Sequence, residues 1–127
     1  MIAIPKNELC IFLVDDQEIT NFINKKLIDV TGMCNKVYDF LEPAKALDHL
    51  EQHQPNLIFL DLNMPKISGW DFLEKMENYN TSADVVIVTS STSVLDKEKA
   101  KTFSRVKDYY IKPLKIDAVR ELISKYQ

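Results

Sequence analysis

The sequence lacks long apolar runs and has few glycines and cysteines. Its 127 residues include two glycines and two cysteines, Cys10 and Cys34, with no CxxC spacing. We therefore expect free, unreactive thiols and no disulfide framework. No apolar run approaches the roughly 18 residues that cross a bilayer, and the start MIAIPKNELC lacks the basic-then-apolar order of a signal peptide. We expect a cytoplasmic protein with no membrane partner.

The charge balance argues against a nucleic-acid partner. The net charge is −3, although residues 96–127 carry 9 Lys and Arg against 5 Asp and Glu. A surface that binds nucleic acid directly would normally be more basic overall, so we expect no such contact. The basic segment fits either solvated lysines on helix faces or a patch that a protein partner recognises.

Five short runs predict β-strands, and segments with helical spacing lie between them. The runs cover residues 9–14, 36–40, 56–60, 85–89 and 108–112, and most are continuously apolar, as strands covered on both faces are. Strand and helix alternate five times. This pattern predicts an α/β fold, a parallel sheet with helices on both faces, and one domain over residues 1–127.

The helices are predicted from apolar residues that recur on one face. In the first helix the predicted buried stripe contains Ile19, Phe22, Ile23, Leu27 and Val30. The fourth helix has Val94, Leu95, Ala100 and Phe103 as its only apolar anchors, and we expect it to be the least firmly packed. His49 and His53 lie four apart on the second helix, and we expect a solvated surface pair rather than a metal site.

Polar side chains follow four of the five predicted strands. Asp15 and Asp16 end the first strand, Asp61 follows the third, Thr89 ends the fourth and Lys112 ends the fifth. A lone Asp between strand and helix is often only an N-cap, a Thr suits any strand, and a Lys before Pro often closes one. These three separate explanations do not account for the fact that all of the groups lie at the carboxyl ends of the strands. Ligands of open parallel sheets bind at that edge.

These motifs together resemble the receiver domain of two-component response regulators, over nearly the whole chain. The matching segments are VDDQ, LDLNMPKISG, VTSS and YYIKP, and their order and spacing are highly specific. The resemblance implies a five-stranded parallel sheet in the order 2-1-3-4-5, with five helices on both faces. It also implies a cis peptide bond between Lys112 and Pro113.

The resemblance assigns roles to individual residues. It implies Asp61 as the phosphoacceptor, with Lys112 and Thr89 assisting the transfer and Thr89 and Tyr109 forming a switch. It implies Mg²⁺ as the cofactor, because clustered carboxylates that receive a phosphoryl group need a hard cation to offset their charge. The implied ligands are Asp16, Asp61 and the backbone carbonyl of Asn63, with Asp15 acting through water.

The implied function is a signalling module and not a turnover enzyme, although it would assist its own phosphorylation and dephosphorylation. Its donor would be a sensor histidine kinase or a histidine phosphotransfer protein, and its downstream protein target is unspecified. The chain length favours a single-domain regulator, with an excised receiver as the alternative. A haloacid dehalogenase phosphatase needs D-x-D after the first strand, whereas Asp15 and Asp16 are adjacent. A flavodoxin-like cofactor binder is disfavoured because neither glycine follows that strand, and no GxxxxGK run is present.

Overall fold

Five parallel strands form a single sheet in the computed structural model, which describes residues 8–126. The sheet order is β2-β1-β3-β4-β5, as predicted, and every neighbouring pair is parallel. The strands are β1 Cys10–Val14, β2 Lys36–Phe40, β3 Leu57–Leu60, β4 Asp84–Thr89 and β5 Val106–Ile111. The helices are α1 Glu18–Thr31, α2 Pro43–His53, α3 Gly69–Met76, α4 Val94–Ala100 and α5 Ile116–Ser124.

Each central strand is covered on both sides, which explains its unbroken apolar run. Along β1, Phe12 and Val14 pack with α2 and α3, whereas Ile11 and Leu13 pack with α1 and α5. Because successive strand side chains point to opposite faces, both faces must be apolar when both are covered. The structure therefore confirms helices on both faces of the sheet.

The predicted buried face of α1 is wrong. Ile19 is 63% exposed and Val30 is 65% exposed, and Phe22 and Ile23 are also exposed. The buried residues of α1 are Asn21, Asn24 and Ile28, and Leu27 packs at the edge of the core. Apolar spacing identified the helix, but α1 has apolar residues on more than one face. The pattern does not say which face meets the sheet and α5.

Helix α4 is held by few apolar contacts, as expected, but by fewer than the sequence predicts. Val94 and Leu95 are 71% and 81% exposed, and Ala100 is the buried residue of this helix. Ala100 packs against Leu62 and Ile87 in a small cluster that also touches Tyr109. The hydroxyl of Ser93 caps the helix by accepting a hydrogen bond from the backbone N–H of Asp96.

The two histidines are not the solvated surface pair that the sequence predicts. Their rings are stacked 5.6 Å apart, His53 lies 4.4 Å from the ring of Tyr38, and both are half-buried. The pair covers the aromatic side of edge strand β2, so its role is packing. In the part of the chain that the structure describes, no helix is long and apolar enough to cross a membrane.

Candidate functional site

Three carboxylates meet at the carboxyl edge of the sheet. One carboxylate oxygen from each of Asp15, Asp16 and Asp61 lies within 4.8 Å of the other two. Asp15 and Asp61 are 5% and 4% exposed, whereas Asp16 is exposed. Among residues 8–126 this is the one group of three or more His, Cys, Asp or Glu side chains close enough to share a metal ion. The sequence predicted these three residues to lie together, and they do.

The turn after β1 shows that Asp15 and Asp16 are not helix caps. Gln17 is the N-cap residue of α1, and its side chain makes no capping hydrogen bond. The backbone N–H of Gln17 donates to Oδ1 of Asp15 over 2.8 Å. This contact fixes the Asp15 carboxylate within the turn, and the exposed Asp16 lies between the two residues.

Asp61 is held by the strand before it and by a tight loop after it. Its backbone N–H donates to the carbonyl of Val14 over 3.0 Å, which anchors β3 to β1. In the loop, the N–H of Gly69 donates to the carbonyl of Leu62 over 2.9 Å. A Cβ on Gly69 would lie only 2.5 Å from the Asp61 carbonyl oxygen. Glycine is thus required at residue 69 by this close approach of the backbone.

Lys112 points into the acidic cluster. Its Nζ lies 2.8 Å from Asp15 Oδ2 and 3.5 Å from Asp61 Oδ1. The structure shares this lysine between two acids and brings it closer to Asp15 than to Asp61. The Lys112–Pro113 peptide bond is cis, as the resemblance implied. The backbone N–H of Lys112 also donates to the carbonyl of Thr89 over 2.8 Å.

The cluster carries more negative charge than its lysine neutralises. Three carboxylates face one ammonium group, which leaves an excess of two negative charges when all are ionised. Burial raises the pKa of the Asp61 carboxyl to about 6, and the Asp15 carboxylate adds to the rise. Lys112 and the backbone N–H of Asn63 lower that pKa, but they do not offset the rise. Hard oxygen ligands with excess negative charge suit a divalent cation such as Mg²⁺.

Thr89, Ser91 and Tyr109 form a second group at the same edge. Thr89 is fully buried, and its hydroxyl oxygen accepts a hydrogen bond from the backbone N–H of Ser91 over 3.2 Å. The hydroxyl of Tyr109 donates to the carbonyl of Ser91 over 3.0 Å. The hydroxyl of Ser91 donates to Asp96 in the first turn of α4 over 2.6 Å. Ser91 therefore connects Thr89, Tyr109 and α4.

The sequence reading missed two residues that organise this edge. The sequence pattern gives Ser91 no role, because its bridging bonds depend on the course of the loop after β4. The sequence prediction does not include Asn21, because it assigns the buried face of α1 to Ile19, Phe22, Ile23, Leu27 and Val30. The spacing of Asn21, Asn24 and Ile28, three and then four residues apart, was the available signal for the face that packs inward.

The comparisons with known proteins agree with this geometry. The family model described as response regulator receiver domain matches residues 11–124. A two component response regulator from Cytophaga hutchinsonii has a similar structure, with a TM-score of 0.84, 27% identity, and 92% of this chain and 95% of that one covered. The sporulation initiation phosphotransferase F of Bacillus subtilis is 24% identical over 91% of each chain. A probable C4-dicarboxylate response regulator of Priestia megaterium is 22% identical over 96% of this chain and 53% of the relative.

This chain belongs to the response regulator receiver domain family. Receiver domains are signalling domains of two-component systems and not classical enzymes, and they generally bind Mg²⁺ at an acidic pocket. The homologues of this chain are response regulators, which receive phosphate from histidine kinases. The chain spans about half the length of the first curated relatives that it matches.

Proposed function

We propose that this chain receives a phosphoryl group on Asp61 from a phosphohistidine of a sensor histidine kinase or a histidine phosphotransfer protein. The observation that carries the proposal is a buried carboxylate at the end of β3, with an ammonium group 3.5 Å away and two further carboxylates beside it. A buried acid that contacts an ammonium group and lies beside two further cation ligands suits attack on a phosphoryl group.

The residues that would hold Mg²⁺ are Asp16 and Asp61 directly, the backbone carbonyl of Asn63, and Asp15 through water. When bound, Mg²⁺ offsets the negative charge of the acids and of the incoming phosphoryl group. The excess of two negative charges in the cluster supports a divalent ion, and the closeness of the three carboxylate oxygens supports a shared one. The protein's own residues then position the donor and the acceptor.

In the proposed transfer, a carboxylate oxygen of Asp61 attacks the phosphorus of the phosphohistidine. An O–P bond forms while the P–N bond breaks, and the electron pair leaves on the imidazole nitrogen. Lys112 pairs with a phosphoryl oxygen, which its present contact to Asp61 places within reach. Thr89 accepts a hydrogen bond from Ser91, so its own hydroxyl hydrogen remains available to a second phosphoryl oxygen. The same groups support later hydrolysis of the acyl phosphate, without turnover of other substrates.

The proposed output is a change at the surface of α4, β5 and α5, where a protein target would dock or a phosphorelay partner would bind. When the Thr89 hydroxyl moves toward the phosphoryl group, its bond to the Ser91 N–H must adjust. Ser91 also binds Tyr109 and Asp96, so the adjustment reaches β5 and the start of α4. Helix α4 buries little apolar surface, with Ala100 as its buried residue, and this supports such a shift because little packing has to be broken.

The test is phosphorylation by a small acyl-phosphate donor. With Mg²⁺ present, the protein should gain the mass of one phosphoryl group in an intact-mass measurement. EDTA or the substitution Asp61→Asn should prevent the gain, because the first removes the cation and the second removes the attacking carboxylate. Asp48→Asn is the matched control, since Asp48 is an exposed aspartate on α2 outside the cluster, and it should be phosphorylated like the wild type.

Two outcomes would contradict the proposal. Phosphorylation that persists in Asp61→Asn would place the acceptor elsewhere on the chain. Continuous release of phosphate from simple phosphate esters, at many turnovers per protein molecule, would indicate a phosphatase instead.

A further inference from the structure

Asn21 is a buried polar residue that links the acidic turn to the neighbouring strand β2. It lies in the first turn of α1 and is 1% exposed. Its amide Nδ2 donates to the backbone carbonyl of Asp15 over 3.0 Å and to the carbonyl of Phe40 over 3.2 Å. The Phe40 carbonyl also accepts the N–H of Asp15 over 3.2 Å. One side-chain amide thus ties together the end of β1, the end of β2 and α1.

The side chain of Asn21 combines two hydrogen bonds with one buried polar atom that has no partner. The Oδ1 atom of Asn21 is buried and has no hydrogen-bond partner. A buried carbonyl oxygen without a partner is destabilising, and an apolar side chain of similar size avoids that cost. The two bonds from Nδ2 are therefore the feature that an asparagine provides here and a leucine does not.

We propose that Asn21 is a positioning residue for the acidic cluster. By holding the Asp15 carbonyl against the end of β2, it fixes the backbone from which the side chains of Asp15 and Asp16 extend toward Asp61. It would thereby set the affinity of the cluster for a divalent cation and the rate at which Asp61 is phosphorylated. The inference rests on the proposed function, but it concerns the geometry of the turn and not the chemistry at Asp61.

The main test is the substitution Asn21→Leu, which removes both hydrogen bonds and the unpartnered oxygen. Mg²⁺ affinity, measured by calorimetric titration, should weaken by about tenfold. Phosphorylation should slow at low Mg²⁺ and recover as Mg²⁺ is raised, because the acids remain present but are less well placed. The midpoint of urea unfolding in EDTA should fall by less than it does in the packing control below, because removing the unpartnered oxygen offsets part of the cost of leaving the Asp15 carbonyl without its bond from Nδ2. In EDTA, amide signals of residues 15–17 and 40 should shift, which reports the turn without any metal.

The matched control is Ile28→Ala, which damages the packing of α1 two turns away from the cluster. Ile28 is fully buried. This variant should lower the midpoint of urea unfolding and leave the Mg²⁺ affinity of the folded protein unchanged. A purely structural role for Asn21 predicts instead that both variants weaken Mg²⁺ binding in proportion to their loss of stability. That result would overturn the inference.

A second variant, Asn21→Asp, separates geometry from charge and covers the case in which Asn21→Leu does not fold. It has nearly the shape of asparagine, but it places a carboxylate oxygen against the two carbonyls that Nδ2 now binds. Added negative charge beside the cluster should by itself strengthen cation binding. Weaker Mg²⁺ binding therefore supports positioning, and equal or tighter binding contradicts it.

The wild-type protein distinguishes failure of the inference from failure of the proposed function. If the wild type is phosphorylated on Asp61 and folded Asn21→Leu matches it in rate and Mg²⁺ affinity, the inference alone is wrong. If the wild type binds Mg²⁺ but gains no phosphoryl group, the proposed function is wrong and the Mg²⁺ titrations still decide the role of Asn21. A wild type that does not bind Mg²⁺ overturns both.

Discussion

At the scale of single residues, Asp61 shows how a functional side chain can destabilise the folded state. Its carboxylate is almost completely buried beside Asp15, and the Lys112 ammonium offsets only part of the resulting cost. Groups arranged for binding are often poorly satisfied until the ligand arrives. We expect this unfavourable charge to lower the free energy of unfolding of the metal-free protein.

The substitution Asp61→Asn tests that expectation through the pH dependence of stability. The pKa of Asp61 is 3.8 when unperturbed and about 6 in the folded protein, so folding favours the protonated form. Compared with an unperturbed carboxyl group, the protonated Asp61 side chain stabilises the folded state. This contribution is complete below pH 3.8 and is lost as the pH rises through 6. The difference amounts to about 3 kcal/mol at neutral pH. In EDTA, Asp61→Asn should be more stable than the wild type at pH 7.5 and no more stable at pH 4.

Urea unfolding in EDTA at several pH values provides the measurement, with Asp48→Asn as the control. Because Asp48 is exposed, its substitution should change stability little at any of these pH values. An Asp61→Asn curve that stays parallel to the wild-type curve from pH 4 to 7.5 would show that Asp61 does not carry this cost.

At the scale of elements, the loop between β3 and α3 depends on one close approach. A methyl group at Gly69 would meet the Asp61 carbonyl oxygen at 2.5 Å and the Leu62 Cα at 2.8 Å, and both are backbone atoms that cannot move aside alone. The start of α3 is fixed by a capping box, in which Ser68 and Asp71 bind each other's backbone N–H groups. The loop is thus held from both ends, so strain at Gly69 must reach Asp61.

Gly69→Ala should therefore affect both stability and the site. We expect a loss of about 1 to 3 kcal/mol in the free energy of unfolding, typical of overpacking, and slower phosphorylation of Asp61. Gly32→Ala is the control, since a Cβ there meets nothing within 4 Å, although the φ of 66° is strained for alanine. Its loss should be about 1 kcal/mol, with the phosphorylation rate unchanged. Equal rates in both variants would mean that the loop does not position Asp61.

At the scale of the whole molecule, the proposed switch joins the acidic cluster to the basic end of the chain. Ser91 is bound to Thr89, Tyr109 and Asp96, which lie on three different elements. A coupling of about 1 to 3 kcal/mol is typical between linked sites and is enough to change which conformation of a weakly packed helix dominates. The proposal therefore requires Thr89 as the connection.

Thr89→Ala should disconnect the output from the site. In the wild type with Mg²⁺, a beryllofluoride mimic should shift amide signals from residues 90–120, well beyond the cluster. The variant should lose the distant shifts while its mass gain from an acyl-phosphate donor persists. Thr81→Ala is a matched control, because Thr81 accepts the N–H of Ala83 over 3.2 Å as Thr89 accepts that of Ser91, but at the opposite edge of the sheet.

The control should respond as the wild type does. Shifts confined to the loops around Asp16, Asp61 and Lys112 in the wild type would contradict the switch and favour a passive carrier of phosphate.

The sequence by itself determined the strand and helix order, and with the resemblance it determined the sheet order and the acidic cluster. These features depend on local periodicity and on the rule that carboxyl ends of parallel strands share one edge, so short segments specify them. The bounds of β3 differ by only one residue from the predicted run, Leu57–Leu60 against 56–60.

Only the tertiary structure decided which face of α1 is buried, how Lys112 divides between Asp15 and Asp61, and that Asn21 joins two strand ends. The first depends on how α1 packs against α5 and the sheet, since its apolar residues point in several directions. The others depend on distances between segments far apart in the chain, such as the 3.2 Å from Asn21 to the Phe40 carbonyl. Periodicity reports what a segment prefers alone, and contacts of this kind exist only after the segments have packed together.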